Sequence, residues 1–332
     1  MRKYLNAGNV PLALAVFLAN DNYDHESDTV SATALLKPTR QLILADRLPP
    51  EAGMVDISGL VKSRMGQAIH DGIEQAWKSN YADAMKALGY PQRVINKVKV
   101  NPLPGEVGED DVPVYLEQRH YKHIMGYKIS GKFDFVAEGM VQDFKSTGVF
   151  TYMNDTKTED YILQGSIYRW LAPHIITSDQ MQIHYIFTDW QAARANEPGY
   201  PKSQVLSITL DLMSLEATEQ FVINKLRELE ANRQLQESDL PLCNDKELWR
   251  KEPEWKYYKN PQKMSRSTKN FKVSEFGSEN AARSAAYARL AKDGNVGVVV
   301  EKPGEVVACK YCPAFPICSQ KDALVADGSL QL

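Results

Sequence analysis

Hydrophobic and polar residues alternate in two neighbouring segments near the middle of the chain, GKFDFVAEG and GMVQDFK. In the first segment, Phe133 and Phe135 alternate with Lys132 and Asp134, and the second segment shows the same period of two. This is the period of a β-strand that buries one face. The Glu-Gly pair between the segments has the residues of a tight turn. The pattern therefore predicts an antiparallel β-hairpin.

Two other segments, VKSRMGQAIHDGIEQAWKS and EDYILQGSIYRWL, repeat their apolar residues every three to four positions. That spacing is typical of helices that bury one stripe of side chains. The predicted core positions are Ile69, Ile73, Ala76 and Trp77 in the first helix and Leu163, Ile167, Trp170 and Leu171 in the second.

The remaining elements complete an α/β pattern. Ser31 can cap a helix in SATALLKPTRQLILADRL that is interrupted at Pro38. MQIHYIFTDW and QVLSITLDL predict two further strands, and a long helix follows them. The order helix, strands, helix, strand, strand, helix predicts a central mixed β-sheet flanked by helices. The sequence contains no G-x-G-x-x-G or P-loop motif, so a dinucleotide-binding βαβ fold is not expected.

The composition is that of an ordinary globular protein. The 332 residues are 43% apolar and 24% charged, with a net charge of −3. This charge does not indicate a nucleic-acid-binding protein, although basic residues can still be concentrated on one surface. Four cysteines in so long a chain do not form a disulfide framework, and their clustering suggests a metal in a reducing compartment.

The N-terminal segment MRK followed by PLALAVFLA imitates a short signal peptide. Asn6 and Asn9 interrupt the segment between the basic residues and the apolar run, Pro11 starts that run, and no clean cleavage site follows it. The run is too short to cross a bilayer. We therefore expect a buried helix or strand here, no membrane association and a cytoplasmic protein.

The predicted hairpin carries the candidate chemistry. If its strands are antiparallel, Asp134 approaches Asp143 and offers two hard oxygen ligands suited to Mg²⁺ or Mn²⁺. Lys145 shares the face of Asp143, while Phe144 points to the core behind them. Two carboxylates with an adjacent ammonium suit metal-assisted hydrolysis of a phosphodiester. The alternative is a surface hairpin with ordinary charges.

The helix that follows the hairpin carries Gln164 and Tyr168 four positions apart, next to its apolar stripe. The order Asp134, Asp143-x-Lys145, Gln164-x3-Tyr168 resembles the PD-(D/E)XK nuclease superfamily, specifically its RecB-like branch. In that branch the two acidic segments are central strands, and the Q-x-x-x-Y motif lies on the next helix.

The resemblance implies a role for each matching residue. His70, which follows Gly66 by one helical turn, would be a metal ligand together with Asp134, Asp143 and the backbone carbonyl of Phe144. Lys145 would act on the attacking water and on the phosphate, and Gln164 and Tyr168 would orient Lys145 and the DNA backbone. Glu117 matches an acidic position on the first core strand of related nucleases, although a solvated charge at an edge strand is an equal alternative.

The C-terminal third contains a compact run of cysteines. Cys309, Cys312 and Cys318 have the spacing C-x2-C-x5-C, and Cys243 supplies a fourth thiolate. Four thiolates suit either Zn²⁺ or a [4Fe–4S] cluster, and the spacing does not choose between them. The run resembles one branch of RecB-like nucleases, including CRISPR-adaptation exonucleases and the AddB nuclease domain, and that resemblance implies [4Fe–4S]. In those relatives the first cysteine precedes the nuclease core, whereas Cys243 follows it.

Residues 251–272 combine seven Lys or Arg with two Glu and several aromatic residues. Cations for phosphates and rings for unstacked bases predict a surface that contacts single-stranded DNA. The predicted contact residues are Lys256, Tyr257, Tyr258, Lys259, Lys263 and Arg266. The alternative is a solvated loop whose aromatic residues pack inside the C-terminal region.

Together these features predict three regions: an N-terminal helical segment (residues 1–60), a PD-(D/E)XK core (61–236) and a cysteine-clamped C-terminal subdomain packed on the core (237–332). The expected function is that of a divalent-metal-dependent deoxyribonuclease, an exonuclease acting on DNA ends or single strands in recombination, repair or viral genome processing. A recombination protein or helicase is a possible partner. The alternatives are a site-specific or structure-specific endonuclease and a non-catalytic DNA-binding protein with the same fold. Cleavage polarity and oligomeric state stay open.

Overall fold

The computed structural model describes residues 4–20, 26, 28–49 and 55–331. Its strands are β1 (Tyr4–Leu5), β2 (Thr29–Ser31), β3 (Val55–Asp56), β4 (Val98–Val100), β5 (Val112–Ile124), β6 (Tyr127–Ala137), β7 (Met140–Thr147), β8 (Gln180–Phe187), β9 (Val205–Asp211), β10 (Glu254–Tyr258), β11 (Lys269–Lys272) and β12 (Val298–Lys302). Its α-helices are α1 (Leu12–Ala19), α2 (Ala32–Leu35), α3 (Thr39–Asp46), α4 (Val61–Ser79), α5 (Tyr81–Ala87), α6 (Gln92–Ile95), α7 (Val149–Met153), α8 (Thr158–Leu171), α9 (Leu215–Asn232), α10 (Val273–Phe276), α11 (Glu279–Lys292) and α12 (Ser319–Ala326).

The described residues form two compact units. The first unit comprises Met1–Leu36 and Met54–Arg227, and the second comprises Lys37–Gly53 and Glu228–Leu332. The sequence analysis grouped residues 1–60 as one N-terminal segment, whereas the contacts divide this segment between the units. The division falls next to Pro38, where the predicted helix is interrupted between α2 and α3. Ser31 caps α2 as predicted, because its hydroxyl accepts a hydrogen bond from the backbone of Ala34.

The first unit is built on a seven-stranded sheet with the order β4-β5-β6-β7-β8-β9, in which β2 also pairs with β6. Strands β5 to β7 form an antiparallel meander, β7 and β8 are parallel, and β8 and β9 are antiparallel. The parallel pair is joined through α8, because parallel neighbours need a long crossover. The predicted α/β fold with a central mixed sheet flanked by helices is therefore confirmed.

The predicted hairpin is the β6–β7 pair. Its turn residues Glu138 and Gly139 both have a left-handed φ, of 51° and 73°, as a two-residue hairpin turn requires. The side chains of Phe133 and Phe135 are buried, as their spacing predicted. The sequence pattern thus located both the strands and the turn between them.

Helix α8 packs directly on the sheet because two glycines allow close approach. A Cβ on Gly131 of β6 would lie 2.6 Å from Leu171, and a Cβ on Gly165 of α8 would lie 2.5 Å from the sulfur of Met181. Ile167, Trp170 and Leu171 are buried as predicted. The close packing fixes the polar side of α8 over the β6–β7 hairpin.

Helix α4 spans the predicted segment and lies against the β7 side of the sheet. Ile69, Ile73 and Trp77 are half-buried, but Ala76 is exposed and does not belong to the core stripe. Trp77 packs with Phe135 and Phe144 at one end of the hairpin. This packing positions the middle of α4, including His70, beside β7.

The apolar run near the N-terminus forms helix α1, but only Leu18 is buried. Leu12 is 80% exposed and Val16 is 61% exposed, so the expectation of a buried element is wrong for most of this helix. The MRK segment of the signal-peptide argument lies outside the described residues. Within the described ranges, no helix is long and apolar enough to span a membrane.

The second unit contains a small antiparallel sheet, β11-β10-β12, which is covered by α10 and α11. Its core packs Trp255, Tyr257 and Phe271 against Ala282 and Ala286 of α11. Two further apolar clusters, centred on Leu44 with Leu240 and on Leu248 with Val306, lie next to the cysteines.

Candidate active site and cysteine site

The two hairpin aspartates lie where β6 and β7 separate. The paired register of these strands ends at Phe135 and Gln142, one position before Asp134 and Asp143. Beyond this point the backbones are free to diverge, and the two carboxylates occupy the opening. Ligand atoms of His70, Asp134 and Asp143 all lie within 4.8 Å of one another, and this is the only such group of three metal-binding side chains among the described residues. These residues and Lys145 are called the carboxylate site.

His70 joins the hairpin from α4. Its Nδ1 lies 3.1 Å from Oδ2 of Asp134, and its Nε2 lies 2.8 Å from the carbonyl oxygen of Phe144. Burial opposes the imidazolium, but Asp134 and then Asp143 outweigh it and raise the pKa of His70 to about 9. Hence the sequence-predicted ligands His70, Asp134, Asp143 and the Phe144 carbonyl come together in three dimensions.

Asp143 is only 3% exposed, and within the described chain neither of its carboxylate oxygens has a hydrogen-bond partner. Lys145 Nζ lies 2.6 Å from Oδ2. The two groups form an ion pair that compensates the charge, but their angle is not that of a hydrogen bond. Burial raises the pKa of Asp143 to about 6, with Lys145 opposing the increase and Asp134 adding to it. A buried carboxylate with unused lone pairs is costly. A divalent cation bound between the two aspartates would satisfy those oxygens, so the residues present fit such an ion.

Helix α8, which carries the Q-x-x-x-Y motif, was expected to orient Lys145 through Gln164 and Tyr168, but its contacts are different. Gln164 donates a hydrogen bond of 2.7 Å to the hydroxyl of Tyr168, so these two side chains form a pair. The aromatic ring near Lys145 is that of Tyr161, with the Nζ 5.3 Å from the ring centroid. Tyr161 was missed in the sequence analysis, although it precedes Gln164 by three positions and continues the same helical stripe.

Glu117 lies opposite Asp134 and lines a small cavity with His70 and Glu74. Its side chain forms an ion pair with Lys132, and burial nevertheless raises the pKa of Glu117 above its usual range. Its φ of 51° is unusual for a glutamate in a strand. Such backbone strain is concentrated at functional sites. Glu117 is therefore a half-buried neighbour of the carboxylate site, and the alternative of a solvated edge charge is wrong.

The four cysteines line one cavity in the second unit, which we call the cysteine site. Cys243 and Cys309 pack against the Leu248 cluster, and Cys312 and Cys318 pack against the Leu44 cluster. Burial, the Glu247 carboxylate and the other three cysteines raise the pKa of Cys243 to about 12. Four thiols that disfavour one another's ionisation gain most from a cation that binds all of them.

Two polar side chains support the cysteine site. Gln320 holds the backbone of Cys243 with two hydrogen bonds, accepting from its N–H at 2.9 Å and donating to its carbonyl at 2.8 Å. Arg40, which is 2% exposed, lies with its Nε 3.3 Å from the sulfur of Cys318 and forms an ion pair with Glu237. The sequence analysis missed both residues because they are distant in the chain from the cysteines they contact.

The spacing of the sulfurs does not select a metal. Among the described residues, no three of the four cysteine sulfurs come within 4.8 Å of one another. Four thiolates suit tetrahedral Zn²⁺ or a [4Fe–4S] cluster, and rotation of the side chains would bring the sulfurs onto either group.

The predicted DNA-contact residues do not form one surface. Tyr257 is fully buried in the core of the small sheet, where its hydroxyl donates to Asp293, and Tyr258 is buried at the end of β10. Neither ring can stack on a base, so these two predictions are corrected and the packed alternative is the one observed for them. Lys256 pairs with Glu254. Lys259, Lys263 and Arg266 are exposed.

Comparison with known proteins adds little to this description. No family model matches the chain, and no curated protein matches it. A solved structure titled "Crystal structure of SSO0001" is 14% identical, with 62% of this chain and 78% of that chain covered. The TM-score is 0.37, which is too low to support an argument about fold or function.

Proposed function

We propose that the chain is a divalent-metal-dependent deoxyribonuclease of the PD-(D/E)XK type. The observation that carries the proposal is the buried carboxylate of Asp143. Its oxygens lack hydrogen-bond partners, and it lies beside Asp134, His70 and Lys145 at the opening between two strands. Lys145 compensates the charge of Asp143 without the geometry of a hydrogen bond, so the carboxylate oxygens keep coordination positions that a divalent cation would fill.

In this proposal His70, Asp134, Asp143 and the carbonyl of Phe144 hold Mg²⁺ or Mn²⁺, which supplies a Lewis acid for the phosphodiester when bound. His70 must give up its proton to serve as a ligand, so ion binding releases a proton. Lys145 positions the attacking water as an ammonium or, as a neutral amine, accepts the proton of that water, and the ammonium stabilises the developing negative charge on the phosphate. Tyr161 limits the positions that the Lys145 ammonium can adopt.

The cysteine site is proposed to hold a [4Fe–4S] cluster with a structural role. The buried Arg40 next to Cys318 and the C-x2-C-x5-C spacing, which resembles that of RecB-like nucleases with this cluster, support this cofactor over Zn²⁺. A cationic guanidinium offsets the negative charge of a thiolate-bound cluster. The cluster would connect two apolar clusters of the second unit and close a long chain loop between Cys243 and Cys309.

Within this class we propose an exonuclease that acts on DNA ends or single strands in the cytoplasm. The test uses linear and closed circular DNA of the same sequence in Mn²⁺, with EDTA as the control. An exonuclease degrades the linear form and leaves the closed circle intact. Equal cleavage of both forms supports the endonuclease alternative, and cleavage of neither, in protein with its cysteine site loaded, contradicts the nuclease assignment.

A further inference from the structure

An aromatic cavity of about 280 Å³ lies in the first unit beside β8. Tyr152 and Tyr185 line it, and Met153, Ile208 and the Asp155 carboxylate complete the lining. The Tyr185 ring is buried and stacked on Phe187, so the half-buried Tyr152 supplies the accessible ring. We call this space the aromatic cavity. Its volume is slightly below the range of about 300–1,000 Å³ that is typical for drug-sized ligands, so it suits one small planar group.

The aromatic cavity is connected to the carboxylate site through tyrosine rings. Lys145 Nζ lies 5.3 Å from the Tyr161 ring, and the Tyr161 ring lies 6.3 Å from the ring of Tyr185. Tyr185 is also paired with Lys145 in the register of β7 and β8, so the two side chains lie on neighbouring strands. The cavity that Tyr185 lines is therefore one strand away from the candidate reaction centre.

The cavity wall on α7 is fixed to the end of β7. The first backbone N–H of α7, that of Val149, donates a hydrogen bond of 2.7 Å to Oδ1 of Asp189. The hydroxyls of Thr147 and Thr151 lie 2.9 Å apart and tie the strand to the helix. The Tyr152 ring also packs against Phe187, with centroids 5.8 Å apart. These contacts preorganise the cavity without a ligand.

The chemistry of the walls favours a base over a phosphate. Aromatic faces stack on nucleobases and tolerate every sequence. The Asp155 carboxylate repels a phosphate but accepts hydrogen bonds from the amino groups of bases. We propose that the aromatic cavity receives one unstacked nucleobase of the strand being cut, next to the phosphate at the carboxylate site. This inference rests on the proposed nuclease function.

The test moves a single abasic site along an end-labelled single strand and follows digestion by the wild-type protein in Mn²⁺. We expect cleavage to slow by about tenfold when the missing base is at one fixed distance from the cut, as for the loss of one stacking contact. In Tyr152→Ala this abasic penalty should disappear, because the ring that the base would contact is already absent. Tyr152→Phe should keep the penalty, as should Tyr287→Ala, which removes an exposed ring of the second unit.

A second variant covers the case in which Tyr152→Ala does not fold. Asp155 is exposed and has a left-handed φ of 47°, which asparagine also tolerates. Asp155→Asn should change which base at that distance is cut fastest. Two results would overturn the cavity assignment alone. One is a wild-type cleavage rate that does not depend on the position of the abasic site, although intact DNA is cut. The other is an equal abasic penalty in the wild-type protein and in Tyr152→Ala. Failure of the wild-type protein to cut any DNA would overturn the proposed function and this inference with it.

Discussion

The carboxylate site brings three ligand atoms within 4.8 Å of one another, whereas no three of the cysteine sulfurs in the described chain lie that close. The first set combines two hard carboxylates with a borderline imidazole, and an ammonium lies next to it. The second is soft, with four thiols embedded between two apolar clusters. Carboxylate and imidazole ligands suit an exchangeable divalent ion, and four thiolates suit a permanently bound metal.

The residues around the two sites also differ in how well they satisfy the polar groups of each site. Asp143 has an ion pair with Lys145 but no hydrogen bond of good geometry, and this leaves its oxygens available to the proposed metal ion. At the cysteine site Gln320 and Arg40 satisfy the backbone of Cys243 and the sulfur of Cys318. Under the proposed function, the carboxylate site serves the chemistry and the cysteine site serves stability. Changes at the carboxylate site should remove activity and spare the fold, whereas changes at the cysteine site should lower stability and reduce activity only through unfolding.

The largest effect is expected from Asp143→Asn. The change keeps the shape of the side chain but removes a central metal ligand, so cleavage should fall by at least about 10³-fold. The melting temperature should change little, because relief of a buried carboxylate offsets the loss of its ion pair with Lys145. Asp110→Asn, at a carboxylate of a surface ion pair, is the control. Comparable losses of activity and stability would contradict the division of roles.

Lys145→Ala should lower the cleavage rate by about 10²–10³-fold, while Mn²⁺ and DNA still bind. The ammonium acts on the water and the phosphate rather than on the ion. Lys128→Ala, which removes a cation from the neighbouring strand β6, should have no such effect on rate. A collapse of Mn²⁺ affinity in Lys145→Ala would mean that the lysine holds the site together structurally.

Cys312→Ser should release the cluster and lower the melting temperature by about 10 °C, in line with the loss of a stabilising cross-link. Anaerobically purified wild-type protein should be brown with roughly four irons per chain, and the variant should be colourless. EDTA should abolish cleavage by the wild-type protein without bleaching it. Stoichiometric zinc in protein never exposed to air would overturn the assignment of an iron–sulfur cluster, but the cysteine site would keep its role as a stabilising cross-link.

A small effect is expected from Tyr161→Leu. Loss of the ring beside Lys145 removes about 0.5–1 kcal/mol of cation–π interaction, so the rate should fall only a few-fold. Tyr161→Phe keeps the ring and should retain the wild-type rate if the hydroxyl has no role. A loss above about 10²-fold in Tyr161→Phe would assign the hydroxyl to the reaction instead.

The hairpin and its aspartates were predictable because local rules define them. The Glu138-Gly139 turn fixes the register, which ends at Phe135 and Gln142 and so brings the next residues, Asp134 and Asp143, close together. The buried positions of β10 were not predictable in the same way, because the face that Tyr257 presents to Ala282 depends on a helix formed later in the chain. Arg40 was missed for a similar reason: its contact with Cys318 joins segments that no local pattern relates.

Binding of Mn²⁺ to wild-type protein and to Asp143→Asn, followed by electron paramagnetic resonance at matched protein concentrations, tests the central claim most directly. The account predicts one tight Mn²⁺ site per chain in the wild-type protein. It also predicts that this affinity falls by at least about tenfold in Asp143→Asn while the cysteine site keeps its iron. Equal Mn²⁺ affinity in the two proteins would contradict the assignment of Asp143 as a metal ligand and, with it, the proposed catalytic site.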